Sequence, residues 1–245
     1  MIRVLGINGS PRKYGNTYKL LSIALLAAKE LGAEVSAIDL YDYEIKPCLG
    51  CLSDKPEACG YPCIIEDDMK GLYDEVLRSD ALVIATPIYW YGPSGQVKNF
   101  IDRLTALENM IHHSGYSWAE GKVVGVIAVG NDGGGVHAVS SLLAALVAMG
   151  FLVPPWGFTY YASKENVEKD LETLRDAANI GRILVLAAEA TRGVKRWYNP
   201  AVKLEGLVEK TLTSSAERRK EELSVRTELV SKALRVASES AREAK

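Results

Sequence analysis

Five short apolar runs, residues 2–7, 34–40, 81–86, 123–129 and 151–158, recur along the chain, and a helix-length stretch separates each from the next. The first four are near-continuously apolar, without the in-out alternation of a half-exposed strand. Such runs are expected of parallel strands covered by helices on both faces. Apolar periodicity places helices at about 17–31, 67–78, 94–107, 135–149 and 165–190. Asp67 and Asp68 stand at the positive end of the second helix, where they read as capping residues and not as acid–base catalysts. Ser94 can cap the third, directly after Gly92-Pro93. Alternating strands and helices predict an α/β fold, a doubly wound five-stranded parallel sheet in the order 2-1-3-4-5. A ligand then belongs beyond the carboxyl ends of strands one, three and four.

The pattern changes after Thr191. Arg192 to Pro200 reads as an aromatic-bearing loop, followed by two helical stretches and no further strand. In the last stretch Leu223, Val230, Leu234, Ala237 and Ala241 recur at four- and three-residue steps once Thr227 is admitted, which is a narrow stripe. Charge shifts at the same place. Residues 191–245 hold 13 Lys and Arg against 8 Asp and Glu, a balance of +5, leaving 16 against 23, or −7, for residues 1–190. The chain therefore divides into a domain at 1–190 and a helical extension at 191–245. The extension suits oligomerisation or docking, and it equally suits a solvated tail packed on its own domain.

Composition narrows the class only modestly. With 245 residues and 48% hydrophobic content the chain can bury a full core. Its net charge of −2 carries no footprint for a nucleic-acid or membrane partner. Met1-Ile2-Arg3 enters a strand at once, without a signal peptide, and no apolar run is long enough to cross a bilayer. The expected location is the cytoplasm.

Three loops at one sheet edge carry candidate chemistry. GSPRKYGNT, residues 9–17, links the first strand to the first helix. Its hydroxyls on Ser10 and Thr17, the Asn16 amide, the Arg12 guanidinium and the helix-start N–H groups suit a terminal phosphate. It lacks the Lys-Ser/Thr ending of a nucleotide P-loop and the three-glycine dinucleotide fingerprint, which favours a phosphomonoester. TPIYWYGPSGQVKNFIDR, residues 86–103, follows the third strand, and its aromatic turn can hold the face and edge of a planar polar ring. Asn99, Asp102 and Arg103 recur there at helix spacing and read as an ion pair or a partner-facing surface. GNDGGG, residues 130–135, follows the fourth strand and allows close backbone approach.

The four cysteines, Cys48-x2-Cys51-x7-Cys59-x3-Cys63, fall in the loop between the second strand and the second helix. In a reducing compartment such a cluster points to metal binding or redox work before structural disulfides. Four thiolates suit a [4Fe–4S] cluster and equally a tetrahedral zinc, with disulfides or free thiols as the third reading. The histidines add little: His112 and His113 fall in an expected loop, and His137 opens a helix beside the glycine loop.

The two long motifs and the glycine-rich loop resemble the NADPH-dependent FMN reductase group of flavodoxin-like proteins over about residues 1–190, and the cysteines resemble those of the iron–sulfur flavoproteins within it. The resemblance implies that Ser10, Arg12, Asn16 and Thr17 hold the FMN phosphate. It implies that Pro87, Ile88, Tyr89 and Trp90 line the isoalloxazine, with Asn131, Asp132 and Gly133 closing its other side. It implies no catalytic side chain, because the flavin carries the chemistry. One departure stands out: the family's cysteine run is more compact, with the third cysteine close behind the second. Electron transfer favours a cluster on Cys48, Cys51, Cys59 and Cys63 over zinc, which has no redox chemistry. The expected activity is electron passage from NAD(P)H or ferredoxin through FMN to a small-molecule or protein acceptor. A homodimer or homotetramer with flavin at the interface is the assembly implied. The rivals are a cluster-free NAD(P)H:FMN or quinone reductase with structural cysteines, and an electron carrier without turnover.

Overall fold

The apolar runs become strands of one sheet in this computed structural model, which describes residues 1–243. The strands are β1 (Arg3–Asn8), β2 (Glu34–Asp39), β3 (Ala81–Tyr89), β4 (Gly92–Pro93), β5 (Val123–Gly130) and β6 (Phe158–Ala162). The order is β2-β1-β3-β5-β6, all parallel, and the two-residue β4 turns back antiparallel on the end of β3. With that hairpin strand set aside, this is the predicted 2-1-3-4-5 order. Register aligns Ile7 with Ile84 and Ile84 with Val126 across three strands.

Helices cover both faces, as near-continuous apolar strands require. They are α1 (Asn16–Glu30), the single turn α2 (Cys51–Asp54), α3 (Met69–Arg78), α4 (Gly95–Arg103), the single turns α5 (Thr105–Glu108) and α6 (Ile111–Ser114), α7 (Gly135–Ala148), α8 (Leu171–Thr191) and α9 (Glu205–Glu243). Leu20, Leu21 and Ala24 of α1 meet Ile180 and Leu184 of α8 over Val4, Val83 and Ile127. Phe100 of α4 and Leu142 of α7 pack with Leu5, Ile84 and Val126 on the opposite face. Each such Leu or Ile contributes about 1.5–3 kcal/mol relative to exposure. Ser94 caps α4 as expected, its hydroxyl accepting from Val97 N at 3.4 Å.

Three expectations are corrected. The fifth parallel strand is not 151–158 but Phe158–Ala162, and the predicted segment makes only an isolated bridge from Leu152 to Val123. Pro154 and Pro155 explain the shift, because they remove two ladder donors and leave a turn before Phe158. The helix predicted from 165 starts at Leu171, where Asp170 Oδ1 accepts from Glu172 N and Thr173 N. The two helical stretches predicted near the C-terminus are one continuous helix, α9, with no proline to break it.

The chain separates into two compact units, Met1–Tyr198 and Asn199–Lys245. The first keeps the aromatic loop to Tyr198, since Trp197 N and Tyr198 N donate to Glu120 Oε1 and Arg196 lies 3.6 Å over the Tyr116 ring. The second is α9 and its lead-in, with Leu223, Val230 and Leu234 exposed. Residues 244 and 245 of the expected extension lie outside the described residues. No helix among the described residues is long and apolar enough to cross a membrane.

Candidate functional site

The carboxyl ends of β1, β3 and β5 open into one cleft of about 190 Å³. Ser10, Arg12, Asn16 and Thr17 line one side and Pro87, Ile88 and Tyr89 the other, with Gly130, Asn131 and Ser163 between. The β1 loop is shaped by its own side chains. Ser10 N donates to Asn8 Oδ1 at 3.1 Å, and Ser10 Oγ accepts from Arg12 N at 3.1 Å. Ser10 and Thr17 are buried, whereas Arg12 is exposed and forms no ion pair among the described residues. The start of α1 has Gly15 as its cap, no capping side chain and no acidic residue in the first turn. Its orphan N–H groups and positive end therefore face the cleft without internal competition.

Asn16 contributes differently from expectation. Its Nδ2 donates to Glu165 O at 2.9 Å and its Oδ1 accepts from Val167 N at 3.2 Å. The side chain thus ties the loop after β6 to the start of α1, and the backbone N–H is what Asn16 offers a ligand.

The aromatic turn divides. Trp90 and Tyr91 both take the left-handed backbone, φ 49° and 67°, as the centre of the tight turn between β3 and β4. This hand costs a bulky residue about 1–2 kcal/mol. Trp90 projects into solvent, 95% exposed, and does not line the cleft. The placement has a geometric cause: the two-residue hairpin holds Tyr89 at the cleft and turns the next side chain outward. Asp132 and Gly133 also leave the cleft. They line an adjoining recess of about 530 Å³ with His137, Ser140 and Tyr160, while Asn131 stays at the cleft wall. His137 Nδ1 donates to Tyr91 O at 3.0 Å, and Gly134, φ +86°, comes so close to Tyr91 that a Cβ there would lie 2.8 Å from its ring. The glycine loop and the aromatic turn are therefore braced on each other.

All four cysteines line a second cavity, of about 300 Å³, together with Tyr61, Met110 and His113. They are free thiols: Cys51, Cys59 and Cys63 are half-buried and Cys48 is exposed. Burial, and then the proximity of Cys48, Cys63, Cys51 and Glu108, pushes the Cys59 thiol up to about 11. Among the described residues no three His, Cys, Asp or Glu side chains converge on a single metal-ion position.

The loop is clamped from one side. Asn109 Nδ2 donates to Pro56 O at 2.6 Å and Cys59 O at 2.8 Å, and His113 Nε2 donates to Cys59 O at 2.9 Å. Beneath it Arg103, 1% exposed, forks onto Asp67, 0% exposed, and donates to Lys46 O at 3.0 Å. Asp67 also accepts from Lys46 N at 2.8 Å and Met69 N at 3.1 Å. Burial alone would raise the Asp67 carboxyl, but the Arg103 guanidinium and these two N–H groups hold it below the usual range. Asp67 is thus a buried counter-ion first and a cap second, while Asp68 Oδ2 accepts from Glu44 N at 2.7 Å. Of the predicted helix-face trio, Asp102 pairs with Lys98 on the surface and Asn99 Nδ2 donates to Ile45 O at 3.1 Å. The buried roles of Arg103 and Asn109, and the clamp that exposed His113 makes on Cys59 O, escaped the sequence reading. The only signal was a charged residue beside the apolar stripe Val97, Phe100, Ile101 and Leu104.

A flavodoxin-type sheet with a phosphate-suited helix start on β1 and a ring-suited wall after β3 defines a mononucleotide-binding α/β protein. The comparisons make this specific: a model of the NADPH-dependent FMN reductases matches residues 2–165, and the chain belongs to that family. It is similar to an iron–sulfur flavoprotein of Archaeoglobus fulgidus, 31% identical over 209 residues that span 79% of this chain and 99% of the relative. A Methanocaldococcus jannaschii iron–sulfur flavoprotein is 32% identical over 188 residues, 71% of this chain and 90% of the relative. Among solved structures RosB, determined with bound 8-demethyl-8-formylriboflavin-5′-phosphate, superposes with a TM-score of 0.69 at 19% identity, covering 89% of this chain and 88% of RosB. The protein is an FMN-dependent oxidoreductase of the electron-transfer type.

Proposed function

We propose that the chain carries two redox centres, FMN in the cleft and a [4Fe–4S] cluster on Cys48, Cys51, Cys59 and Cys63, and passes electrons between NAD(P)H or ferredoxin and an acceptor. The observation that carries this reading is the convergence of all four free thiols on one cavity. A cluster binds one thiolate at each iron, so its ligands surround a cavity instead of meeting at a point as around zinc. The iron–sulfur flavoproteins of similar sequence support the same reading.

The cleft fits FMN by the chemistry of its donors. Ser10 and Thr17 hydroxyls, the Arg12 guanidinium and the N–H groups of Asn16 and Thr17 would hold the phosphate. Pro87, Ile88 and Tyr89 would pack the ring, and Asn131 would donate to its polar edge, with Asp132 and Gly133 on the recess beside it. FMN would supply two-electron exchange with a nicotinamide and one-electron exchange with a metal centre. The chain's part is placement. The Tyr89 wall excludes water, and the α1 dipole and the amides after β5 hold negative charge in place.

Anaerobic purification followed by iron, sulfide, zinc and flavin analysis tests the reading. Four irons and four sulfides per chain with one FMN are expected, along with NAD(P)H oxidation above background with an added acceptor. Stoichiometric zinc, or flavin without iron, refutes the cluster. We read the assembly as a homodimer or homotetramer, supported by the apolar residues that α9 exposes; sedimentation of the full chain measures it.

A further inference from the structure

We propose that α9 pairs with α9 of a second copy, antiparallel about a twofold axis between Lys220 and Glu221, with Arg219 of each copy set against Glu222 of the other. The inference rests on the homo-oligomer reading above and deepens it by naming the surface and its register.

α9 runs 39 residues and is exposed along its described length, with Leu207, Leu212, Leu229 and Leu234 each more than half exposed. Helices in proteins are held chiefly by the packing of an apolar face, so one that exposes its leucines on every turn lacks its main source of stability. Its charges are equally unspent. Among the described residues no charged side chain of α9 forms an ion pair, whereas Lys98 with Asp102 and Lys169 with Glu165 do so at four-residue spacing elsewhere in the chain. Apolar and charged groups alike are left for a partner.

One line along the helix holds both. From Val208 to Val236, 28 residues or four heptads, alternating four- and three-residue steps land on a single seam. Val208 and Leu212 begin it and Leu229, Ala233 and Val236 end it, while Ser215, Arg219, Glu222 and Arg226 occupy the middle. Leu223 and Val230, each one residue past a seam position, widen it on one side.

The charged middle selects the partner and its direction. Two parallel copies in register would set Arg219 on Arg219 and Glu222 on Glu222, and like charges so placed repel. Reversing one copy about the point between Lys220 and Glu221 sets Arg219 on Glu222 twice, Arg226 on Ser215, Leu212 on Leu229 and Val208 on Ala233. Polar then meets polar and apolar meets apolar at each level. The seam is thus complementary to itself, as an isologous twofold interface must be. A slip of one heptad ruins the match, since it sets Leu212 on Glu222 in one direction and Arg219 on Leu229 in the other. Polar groups at seam positions cost stability and fix register, which is the part Arg219 and Glu222 play here.

Sedimentation of the full chain over a concentration series reads the association, and circular dichroism checks that α9 stays helical. Arg219→Glu sets carboxylate against carboxylate twice, and Glu222→Arg sets guanidinium against guanidinium. Each should weaken the α9 association at least about tenfold, so that a dimer yields monomers and a tetramer yields dimers. An equal mixture of the two variants should regain wild-type affinity, because each copy brings the charge that the other lacks. Both chains stay altered in that mixture, so its recovery can come only from contact between copies. Ser215→Glu places a carboxylate opposite Arg226 and should tighten the association; in a parallel pair the same change would set carboxylate on carboxylate and weaken it. Lys210→Glu, on the far side of the helix, makes the same change of charge as Arg219→Glu and should leave affinity within about twofold. A wild-type chain that sediments as a monomer overturns the homo-oligomer reading, and this pairing falls with it. An oligomer that both single variants leave intact, or whose mixture does not recover, overturns the α9 pairing alone and assigns the assembly to another surface. Weakening by Ser215→Glu overturns the antiparallel direction.

Discussion

Arg12→Ala separates phosphate recognition from every other contribution of the cleft. Arg12 lines the cleft, is exposed, and has no carboxylate partner among the described residues, so its loss leaves no buried charge behind. Hydrogen bonds to charged groups contribute about 1.5–3 kcal/mol, and exposure places this one near the lower figure. At about 1.4 kcal/mol per decade, FMN affinity should fall about tenfold. Ser10, Thr17 and the α1 amides remain, so binding weakens and is not abolished. Apo-protein titrated with FMN and, in parallel, with riboflavin is the assay, read by quenching of flavin fluorescence. Riboflavin has no phosphate, so its affinity should change by less than about twofold, the range of an ordinary surface substitution. The FMN loss should also shrink as salt is raised. Equal losses for both flavins, or no loss for FMN, would refute the phosphate role of Arg12.

Other positions test the frame and the loops. A Cβ at Gly181 would lie 1.8 Å from Ala24 O, so Gly181→Ala must push α8 off α1. The cost is about 2 kcal/mol, a fall of roughly 4–8 °C in melting temperature by calorimetry. Trp90→Gly relieves a left-handed backbone without losing buried surface, and denaturant titration should show a gain of about 0.5–1 kcal/mol; a loss contradicts the strained-turn reading. For the metal-free chain, Cys59 is raised in the fold from 9.0 to about 11. A raised acid stabilises below its unfolded value and loses that contribution as pH climbs through the folded one. Mass-spectrometric alkylation should therefore find Cys59 labelling accelerating up to about pH 11, with the loop loosening between pH 9 and 11. A labelling plateau already reached at pH 9 contradicts the burial.

Much of the sheet was legible because parallel strands buried on both faces advertise themselves as apolar runs, and because Ser94 and the loop after β1 carry their own local chemistry. The fifth strand was misplaced since hydrophobicity alone continues through Phe151-Leu152-Val153, while the two prolines that follow decide the ladder. The family resemblance implies Trp90 at the ring wall, whereas its exposure follows from direction within a two-residue hairpin, a backbone property that residue type does not encode. Asn16 could be placed at the helix start, yet its engagement with Glu165 and Val167 depends on a crossover more than a hundred residues long. Arg103 was hidden for the opposite reason. A charged side chain on a helix reads as surface until the loop carrying Asp67 folds over it.

The cleft draws its walls from residues 10–17, 87–89, 129–131 and 163, and so no fragment that lacks one of these segments can assemble it. Occupancy of the cleft and integrity of the whole parallel sheet are one equilibrium. Free FMN at a hundred times its dissociation constant should stabilise the unit by about 2.7 kcal/mol, lifting its melting temperature by roughly 5–11 °C. Cellular flavin supply thereby acts on how much of the protein persists, and a thermal melt becomes a measure of affinity without any assay of turnover.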